Sequence, residues 1–154
     1  MSTENNTHRV VVYGSLLKGL HNHSVIGSHI ESGNAKYIGN QVVEIPFKMI
    51  DLGSFPGIIP NSEDERDNKI FVEIYELNDE ANRSVECLEG YNEEDPDKGF
   101  YKKAEVGTNH GMASIYVLNS SYSIFNEAEV PMEEGIVNWR NYVIERNQKS
   151  YDYE

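Results

Sequence analysis

The chain has 154 residues, of which 26 are Asp or Glu and 13 are Lys or Arg, so its formal net charge is −13. This length suits one domain with a single core, for which 10 Tyr and 5 Phe residues supply apolar side chains. The acidic excess argues against nucleic acid or an anionic membrane as partner, because both are polyanions that require a basic face. Cys87 is the single cysteine, which excludes an intrachain disulfide framework and a cysteine-rich zinc site.

The sequence shows no targeting or metal-binding signal. No stretch approaches the roughly 20 apolar residues of a membrane span, and residues 1–8 lack the apolar centre of a signal peptide. We therefore expect a soluble, cytoplasmic protein. The five histidines do not follow the spacing of metal-binding motifs. The acidic runs at 63–65, 93–97 and 133–134 do not follow the calcium-loop pattern, so they indicate solvated surface, and neither a metal nor a cofactor is predicted.

Apolar periodicity and turn residues predict the strands and helices in chain order. The β-branched run at 8–13 predicts a buried strand that leads into a loop at 14–19, which begins and ends with Gly. Polar residues 21–29 predict a short helix that is capped by Asn22 or Ser24.

The middle of the chain switches between strand-like and turn-like segments. Strands are predicted at 35–44 and 47–52, with Pro46 forcing a break between them, and at 69–77, where apolar and polar residues alternate. Residues 53–60 are rich in turn formers but carry three large apolar side chains. We therefore expect a loop there that folds back over the rest of the domain.

A second helix is predicted to open at Asn78 or Asp79 and to end at Gly90, which can take the left-handed position after a helix. Cys87 lies inside this helix, where a packing thiol is expected. The residues of the helix expected to face the core are Ala81, Val85 and Leu88.

Two strands and a helix complete the chain. The strands are predicted at 101–106 and 112–118, joined by a turn at 107–111. The final helix is predicted at 133–147, with one apolar face. That face is expected to comprise Ile136, Trp139, Tyr142 and Val143.

These elements predict a single α+β domain over residues 8–148, with about six strands and two or three short helices. Hairpin neighbours predominate, so the sheet is expected to be mixed, mostly antiparallel and closing towards a barrel. Residues 1–7 and 149–154 are expected to be flexible termini.

Glu89 is the carboxylate with the strongest indication of chemistry. It ends the helix at 79–89, next to apolar residues, and two effects raise the pKa of a carboxyl group at such a place. One is desolvation and the other is the negative end of the helix dipole. A Glu tuned in this way exchanges protons near neutral pH. The alternative is a carboxylate that points to solvent or caps a neighbouring loop.

The turn YGSL at 13–16 is the second candidate. A strand that ends in a Gly turn exposes successive backbone N–H groups, which suit a carboxylate or an oxyanion. The turn lacks the spacing of dinucleotide and phosphate loops, so an ordinary tight turn is the alternative. Ser15 is not framed as GxSxG, and the sequence offers no convincing protein nucleophile.

Four motifs in order resemble those of the gamma-glutamylcyclotransferase-like superfamily, with the gamma-glutamylamine cyclotransferase branch as the most similar group. They are VVYGSLLKG at 11–19 followed by Asn22 and His23, DLGSFPG at 51–57, VEIYEL at 72–77 and LEGY at 88–91. Tyr101 with two Lys residues stands at the Y.R position of the superfamily, and the resemblance covers about residues 8–143. The chain departs from the pattern at Lys102 and Lys103, where Arg is common, at an acidic insert after Tyr91, and at Glu73, where Gly is frequent.

The resemblance implies a small barrel-like fold with a cavity, and an enzyme that releases 5-oxoproline from a gamma-glutamyl amine or peptide. Such an enzyme is a cyclotransferase, and by reaction type a lyase. It implies that Glu89 is the catalytic residue. It also implies a substrate-binding turn, made by Tyr13, Gly14, Ser15 and Leu16. Phe55 and Tyr101 are expected to wall the pocket with Tyr13, and Tyr101 to offer its hydroxyl.

The chemistry of this reaction accounts for the absent nucleophile. The substrate's own α-amine attacks its γ-carbonyl, and such intramolecular attack supplies effective molarities of roughly 10⁵ M when the geometry is good. Glu89 would take the proton from the attacking amine and give it to the departing amine. The N–H groups at 14–16 would hold the substrate carboxylate or the developing oxyanion.

Two other classes of function stay open. The same pocket could belong to a non-catalytic module that binds a small ligand, or the acidic surface could belong to a protein-interaction domain. The expected partner is a small-molecule gamma-glutamyl substrate, with neither nucleic acid nor membrane, and the expected state is a monomer. The sequence leaves the leaving amine or peptide open.

Overall fold

The computed structural model describes residues 7–53, 55–60, 67–119 and 129–152. The strands in these segments are β1 (His8–Val12), β2 (Ala35–Ile45), β3 (Phe47–Asp51), β4 (Pro56–Pro60), β5 (Asn68–Leu77), β6 (Tyr101–Thr108), β7 (Gly111–Leu118) and β8 (Ile136–Val137). The helices are α1 (Ser24–Glu31), α2 (Asp79–Glu89) and α3 (Trp139–Asp152), with a short 3-10 helix at Pro96–Lys98. None of the helices in the described segments is long and apolar enough to cross a membrane.

The main sheet has the strand order β2-β5-β1-β7-β6, with β8 beside β5. Neighbours are antiparallel except for the parallel pairs β1–β7 and β5–β8. The edge strands β2 and β6 contact each other, and the N–H of Asn109 after β6 donates to the Gln41 side chain of β2 at 2.9 Å. The sheet therefore curls towards a barrel, and the predicted mixed, mostly antiparallel α+β fold is confirmed.

Helix α2 follows its sequence signals at both ends. The side chain of Asn78 accepts the N–H of Ala81 at 3.0 Å, and Gly90 ends the helix in the left-handed conformation with φ 65°. Ala81 and Val85 are buried as predicted, but Leu88 is exposed because it lies in the last turn, where the helix runs out beside a cavity. The expectation of a packed Cys87 thiol is wrong as well. Cys87 is exposed, since it lies about 200° around the helix from the buried Val85.

Helix α1 forms where it was expected, but its predicted cap is wrong. The residue before the helix is His23, whose side chain makes no capping hydrogen bond, and Ser24 is already the first helical residue. The Asn22 amide donates instead to the Ser15 hydroxyl at 2.9 Å. Asn22 therefore belongs to the loop after β1.

Residues 56–60 form a strand, where a loop was predicted over 53–60. Strand β4 pairs antiparallel with β3 as a separate two-stranded sheet. Its burial explains the apolar residues, because Ile58 is fully buried and Gly57 lies directly against the Leu118 side chain of β7. The expected folding back over the domain does occur, and the prolines stand at the two ends of the strand, where they cost least.

Helix α3 begins at Trp139, after the predicted start at residue 133. Glu134 and Gly135 have φ values of 55° and 82°, which a helix does not accommodate. Ile136, expected on the helix face, lies instead in β8 and pairs with β5. The Asn138 side chain then accepts the N–H of Asn141 at 3.2 Å, which is the pattern of a helix N-cap. The helix continues to Asp152.

Other predictions differ by smaller amounts. The turn between β6 and β7 is only two residues long, because both strands extend into the predicted turn at 107–111. In the acidic runs predicted at 93–97 and 133–134, Glu93, Glu94, Asp97 and both residues at 133–134 are exposed, as expected for solvated surface, whereas Asp95 is half-buried. The acidic run at 63–65, most of the predicted flexible residues at 1–7, and residues 153–154 lie outside the described residues.

Candidate active site

A cavity of about 230 Å³ opens where β1 ends, between the start of β4, the end of α2 and strands β6 and β7. All seven residues that the sequence singled out line this cavity. They are Tyr13, Gly14, Ser15, Leu16, Phe55, Glu89 and Tyr101. The lining also includes residues that were not predicted as site residues, among them Asn22, Leu88, Phe100 and Tyr116.

Glu89 is placed by the end of α2. The left-handed Gly90 turns the chain away, and its carbonyl accepts the N–H of Phe100 at 2.9 Å, so the helix end is fixed against the segment that leads to β6. Burial raises the pKa of the Glu89 carboxyl from 4.5 to about 7. The predicted upward shift is therefore confirmed. Glu89 is half-buried and lines the cavity, and its catalytic role stays a prediction.

Residues 14–16 of the loop after β1 line the cavity. The fold of the loop is fixed from within, since the carbonyl of Gly14 accepts the N–H of Leu17 at 3.0 Å and that of Ser15 accepts the N–H of Asn22 at 3.1 Å. A Cβ on Gly14 would lie 2.7 Å from the Pro56 side chain, so only Gly allows the loop to approach β4 this closely. Within the described segments, the N–H groups at 14–16 donate to no protein acceptor, which leaves them available to an anion.

A buried ion pair holds the far end of this loop. Glu73 on β5 is 2% exposed and accepts hydrogen bonds from the Lys18 N–H at 2.9 Å and from Arg140 of α3 at 3.1 Å. The Tyr75 hydroxyl donates to the same carboxylate at 3.0 Å. Arg140 also donates to the Lys18 carbonyl at 3.1 Å. The backbone of residue 18 is thus held at both its N–H and its C=O by one charge pair.

Two tyrosine hydroxyls at the cavity already donate to backbone carbonyls. Tyr13 donates to the carbonyl of Tyr116, and Tyr101 donates to the carbonyl of Pro56, each at 2.7 Å. The expectation that Tyr101 offers its hydroxyl proton to a substrate is therefore wrong, because that proton holds β4 against β6. Burial raises the pKa of both hydroxyls, so both stay protonated.

The cavity wall is mainly apolar and has one ionisable acid. Phe55 and Phe100 meet edge to face with ring centroids 6.0 Å apart, and Leu88 borders the opening. Among the described residues that line the cavity, no side chain is basic. An anionic group bound there would therefore depend on backbone N–H groups and hydroxyls.

A comparison with protein families assigns the chain to one of them. The model of the family described as "Gamma-glutamyl cyclotransferase, AIG2-like" matches residues 10–141. The chain belongs to this family. The match confirms the superfamily on which the sequence motifs converge, and the function of the family is of the cyclotransferase kind.

The chain is also similar to individual proteins. A protein of Methanocaldococcus jannaschii named "Putative gamma-glutamylcyclotransferase MJ1514" is 33% identical over 98 residues, which are 63% of this chain and 68% of that protein. The crystal structure of protein PH0828 from Pyrococcus horikoshii is similar with a TM-score of 0.62 and 20% identity, covering 92% of this chain and 97% of that one. An AIG2-like protein from Mus musculus is similar with a TM-score of 0.56 and 18% identity, covering 86% and 95%. At these identities the two solved structures show the fold alone.

A single sequence gives little indication of the lining residues that were not predicted. Asn22 stood in the motif, but its amide was assigned to a helix cap. Tyr116 lies in β7 next to Ile115, and both are buried, so alternation along the strand does not reveal which side chain faces the cavity.

Proposed function

We propose that this family member releases 5-oxoproline and a free amine from gamma-glutamyl amines. The observation that carries the proposal is the Glu89 carboxyl, whose pKa burial raises to about 7, in the same cavity as residues 14–16, whose backbone N–H groups donate to no acceptor within the described segments. The α-amine of the substrate attacks its own γ-carbonyl carbon, a C–N bond closes the five-membered lactam, and the C–N bond to the departing amine breaks. No protein nucleophile is required.

Glu89 is the proton carrier in this proposal. In its ionised form it takes the proton that the α-amine loses on attack, and it then gives that proton to the departing amine nitrogen. A carboxyl group with a pKa near neutrality can do both, because both protonation states are populated at physiological pH. Its apolar surroundings at the end of α2 maintain that pKa.

The turn at 14–16 supplies the binding site for the substrate's α-carboxylate. Three successive N–H groups at the end of a strand make a concave site of positive potential. Phe55, Phe100 and Tyr101 wall the remaining volume, which holds the flexible γ-glutamyl chain in the curled conformation that attack requires.

The wall of the cavity favours an amine over a peptide as the departing group. A second carboxylate on the departing group would enter a space with no basic side chain among its described lining residues and with Glu89 nearby. Burying an unpaired charge is costly, whereas a neutral or cationic tail meets apolar rings or a negative potential. The charge of the departing group therefore lets the site discriminate between an amine and a peptide.

A matched set of substrates tests this proposal. The purified protein is incubated with γ-glutamyl-propylamine, γ-glutamyl-ethylenediamine and γ-glutamyl-β-alanine, whose tails end in a methyl, an ammonium and a carboxylate, and 5-oxoproline is quantified. We expect kcat/KM for both amines to exceed that for the β-alanine compound by about tenfold or more, which corresponds to about 1.4 kcal/mol.

The outcomes separate the classes of function. Absence of 5-oxoproline from all three compounds would exclude the cyclotransferase activity proposed here. A ligand-induced rise in Tm without turnover would then favour the binding module. Equal kcat/KM for the three compounds would retain the activity and remove the preference for amines.

A further inference from the structure

The turn that carries Glu89 is closed by a backbone hydrogen bond. The Tyr91 N–H donates to the Glu86 carbonyl at 3.0 Å, and the left-handed conformation of Gly90 allows the chain to make this bond. Glu89 lies inside the closed turn, three residues after Glu86 and two before Tyr91. A contact that fixes both ends of the turn therefore also fixes the backbone that carries the Glu89 carboxyl.

Lys103 of β6 contacts both ends of this turn. Its ammonium forms a hydrogen-bonded salt bridge with the Glu86 carboxylate, and it lies 4.5 Å from the centroid of the Tyr91 ring, whose face attracts a cation. Tyr116 stands opposite Lys103 in the pairing of β6 with β7, and its ring centroid is 5.9 Å from the same ammonium. One side chain of the sheet thus holds the turn at residues 86 and 91.

The pair of Glu86 and Lys103 is partly shielded from solvent. Their side chains are 13% and 25% exposed, whereas those of the adjacent pair of Asp97 and Lys102 are 83% and 36% exposed. Exposed ion pairs are screened by water and salt and contribute little, but shielded pairs are screened much less. The contact between Glu86 and Lys103 is therefore the one able to hold a fixed geometry.

The position of Lys103 on its strand relates this contact to the cavity. Lys103 lies two residues after Tyr101, so both side chains point to the same face of β6. Tyr101 and Glu89 line the cavity together. Lys103 thus ties the turn with the carboxyl group to the strand that forms the opposite wall.

We propose that the Glu86–Lys103 pair is a positioning device for the Glu89 carboxyl, an assignment that rests on the proposed function. By holding the turn against β6, the pair keeps the carboxyl within reach of the two nitrogens between which the proton moves. Glu89 takes that proton from the α-amine and gives it to the departing amine, and no proton passes through the pair. Glu86 and Lys103 are therefore positioning residues, and Glu89 remains the proton carrier.

The variants Lys103→Met and Glu86→Met each break the pair. With γ-glutamyl-propylamine we expect kcat to fall about tenfold or more in both, because a small displacement of a catalytic group is costly. KM should change less than about twofold, since residues 14–16 are intact. The double variant should lose no more than either single variant, because the second change breaks nothing further. Lys103→Arg keeps the cation and should retain kcat within about threefold.

The pH profile separates positioning from a direct effect of charge. The two Met variants remove charges of opposite sign, so a direct effect on Glu89 would raise the midpoint of kcat/KM in Lys103→Met and lower it in Glu86→Met. Loss of positioning should lower the midpoint in both, because a looser turn admits water to the carboxylate.

The other ionisable groups in the described lining of the cavity are phenols, those of Tyr13, Tyr101 and Tyr116. Burial raises the pKa of all three phenols, so they stay uncharged over the range in which Glu89 titrates. The midpoint therefore reports the surroundings of Glu89.

Lys102→Met is the matched control, because Lys102 is the neighbour of Lys103 on β6 and pairs with the exposed Asp97 at 2.9 Å. Rates are measured well below the Tm of each variant, and the control should keep the kcat of the wild type. An active wild type whose two Met variants stay within twofold of its kcat would overturn the assignment, whatever their Tm, and leave the proposed function standing.

Three other results would also overturn the assignment. Midpoints that move in opposite directions would replace positioning by a direct charge effect. An equal loss of kcat in Lys102→Met would show that the pair of Glu86 and Lys103 has no special role. A wild type without turnover would overturn both proposals.

Discussion

Burial of Glu89 has opposite consequences for reactivity and for stability. The apolar setting raises the pKa of its carboxyl to about 7, which suits proton transfer at neutral pH. The same setting penalises the ionised form in the folded state. Because the folded protein holds this proton more tightly than the unfolded chain does, its stability falls as the pH rises between about 4.5 and 7. Below that window both states are protonated and Glu89 has no effect of this kind.

Substitution Glu89→Gln should therefore stabilise the protein, but only at the higher pH. Gln is neutral and close in size, so it removes the cost of the buried charge. We expect the free energy of unfolding in urea to exceed that of the wild type by about 1–3 kcal/mol near pH 8, where the shift of the pKa has its full effect. Near pH 4 the two proteins should differ little.

The difference between the two pH values is the informative quantity. A stabilisation of equal size at both pH values would come from packing or solubility and would contradict the raised pKa. A destabilised variant near pH 8 would mean that ionised Glu89 has a favourable partner in the folded protein.

At the scale of elements, α3 connects the sheet to the loop of the site. Arg140 on this helix neutralises the buried Glu73 and donates to the Lys18 carbonyl. Further along α3, Arg146 and Tyr142 donate to the Asp51 carboxylate at 2.8 and 2.7 Å, and Arg146 donates to the Gly53 carbonyl at 3.0 Å. The helix thus contacts both segments that lead into the cavity wall.

Replacing Arg140 with Met should weaken both the fold and the site. The change leaves Glu73 buried without its counter-charge, and removing one partner of such a pair costs about 3 kcal/mol or more. We expect a corresponding fall in the free energy of unfolding by urea denaturation. We also expect a higher KM for the substrate, because the loop at 14–19 loses an anchor at residue 18.

Arg83→Met is the matched control for this prediction. Arg83 is an exposed Arg on α2, and its replacement should change the free energy of unfolding by less than about 0.5 kcal/mol. An Arg140→Met variant as stable as the control would show that the buried pair contributes nothing to the fold.

The elements that were predicted well are those whose signals are local. Asn78 and Gly90 delimit α2 by capping interactions within a few residues, and the β-branched run at 8–13 is apolar enough to specify a buried strand without its partners. Strands β4 and β8 were missed because their pairing depends on distant segments, β3 and β5 respectively. The predicted start of α3 was too early for the same reason. Pairing with β5 overrides the helical spacing that begins at Ile136.

At the scale of the whole molecule, the charge of −13 and the site are largely separate. The described acidic runs at 93–94 and 133–134 are exposed, whereas Glu89 is the one acid in the described lining of the cavity. The net charge of the molecule affects which partners it repels. The chemistry depends on a single carboxylate whose neighbours are apolar.

Most of the candidate site could be predicted from the sequence, because its residues lie in contiguous motifs. The turn at 13–16 and the residue Glu89 each lie in a short motif, so their side chains could be named before their positions were known. Tyr116 and the Glu73–Arg140 pair depend on strands and a helix that meet only in three dimensions. Both depend on how distant segments pack together, and no residue spacing in the chain encodes that packing.

The pH dependence of kcat/KM for 5-oxoproline release, measured on the wild type and on Glu89→Gln, tests the central claim most directly. For γ-glutamyl-propylamine the wild-type value should rise with pH to a plateau, with a midpoint near the Glu89 pKa of about 7. Glu89→Gln should lose at least about 100-fold in kcat/KM and show no such midpoint. Turnover by Glu89→Gln at the rate of the wild type would contradict the claim that Glu89 carries the proton.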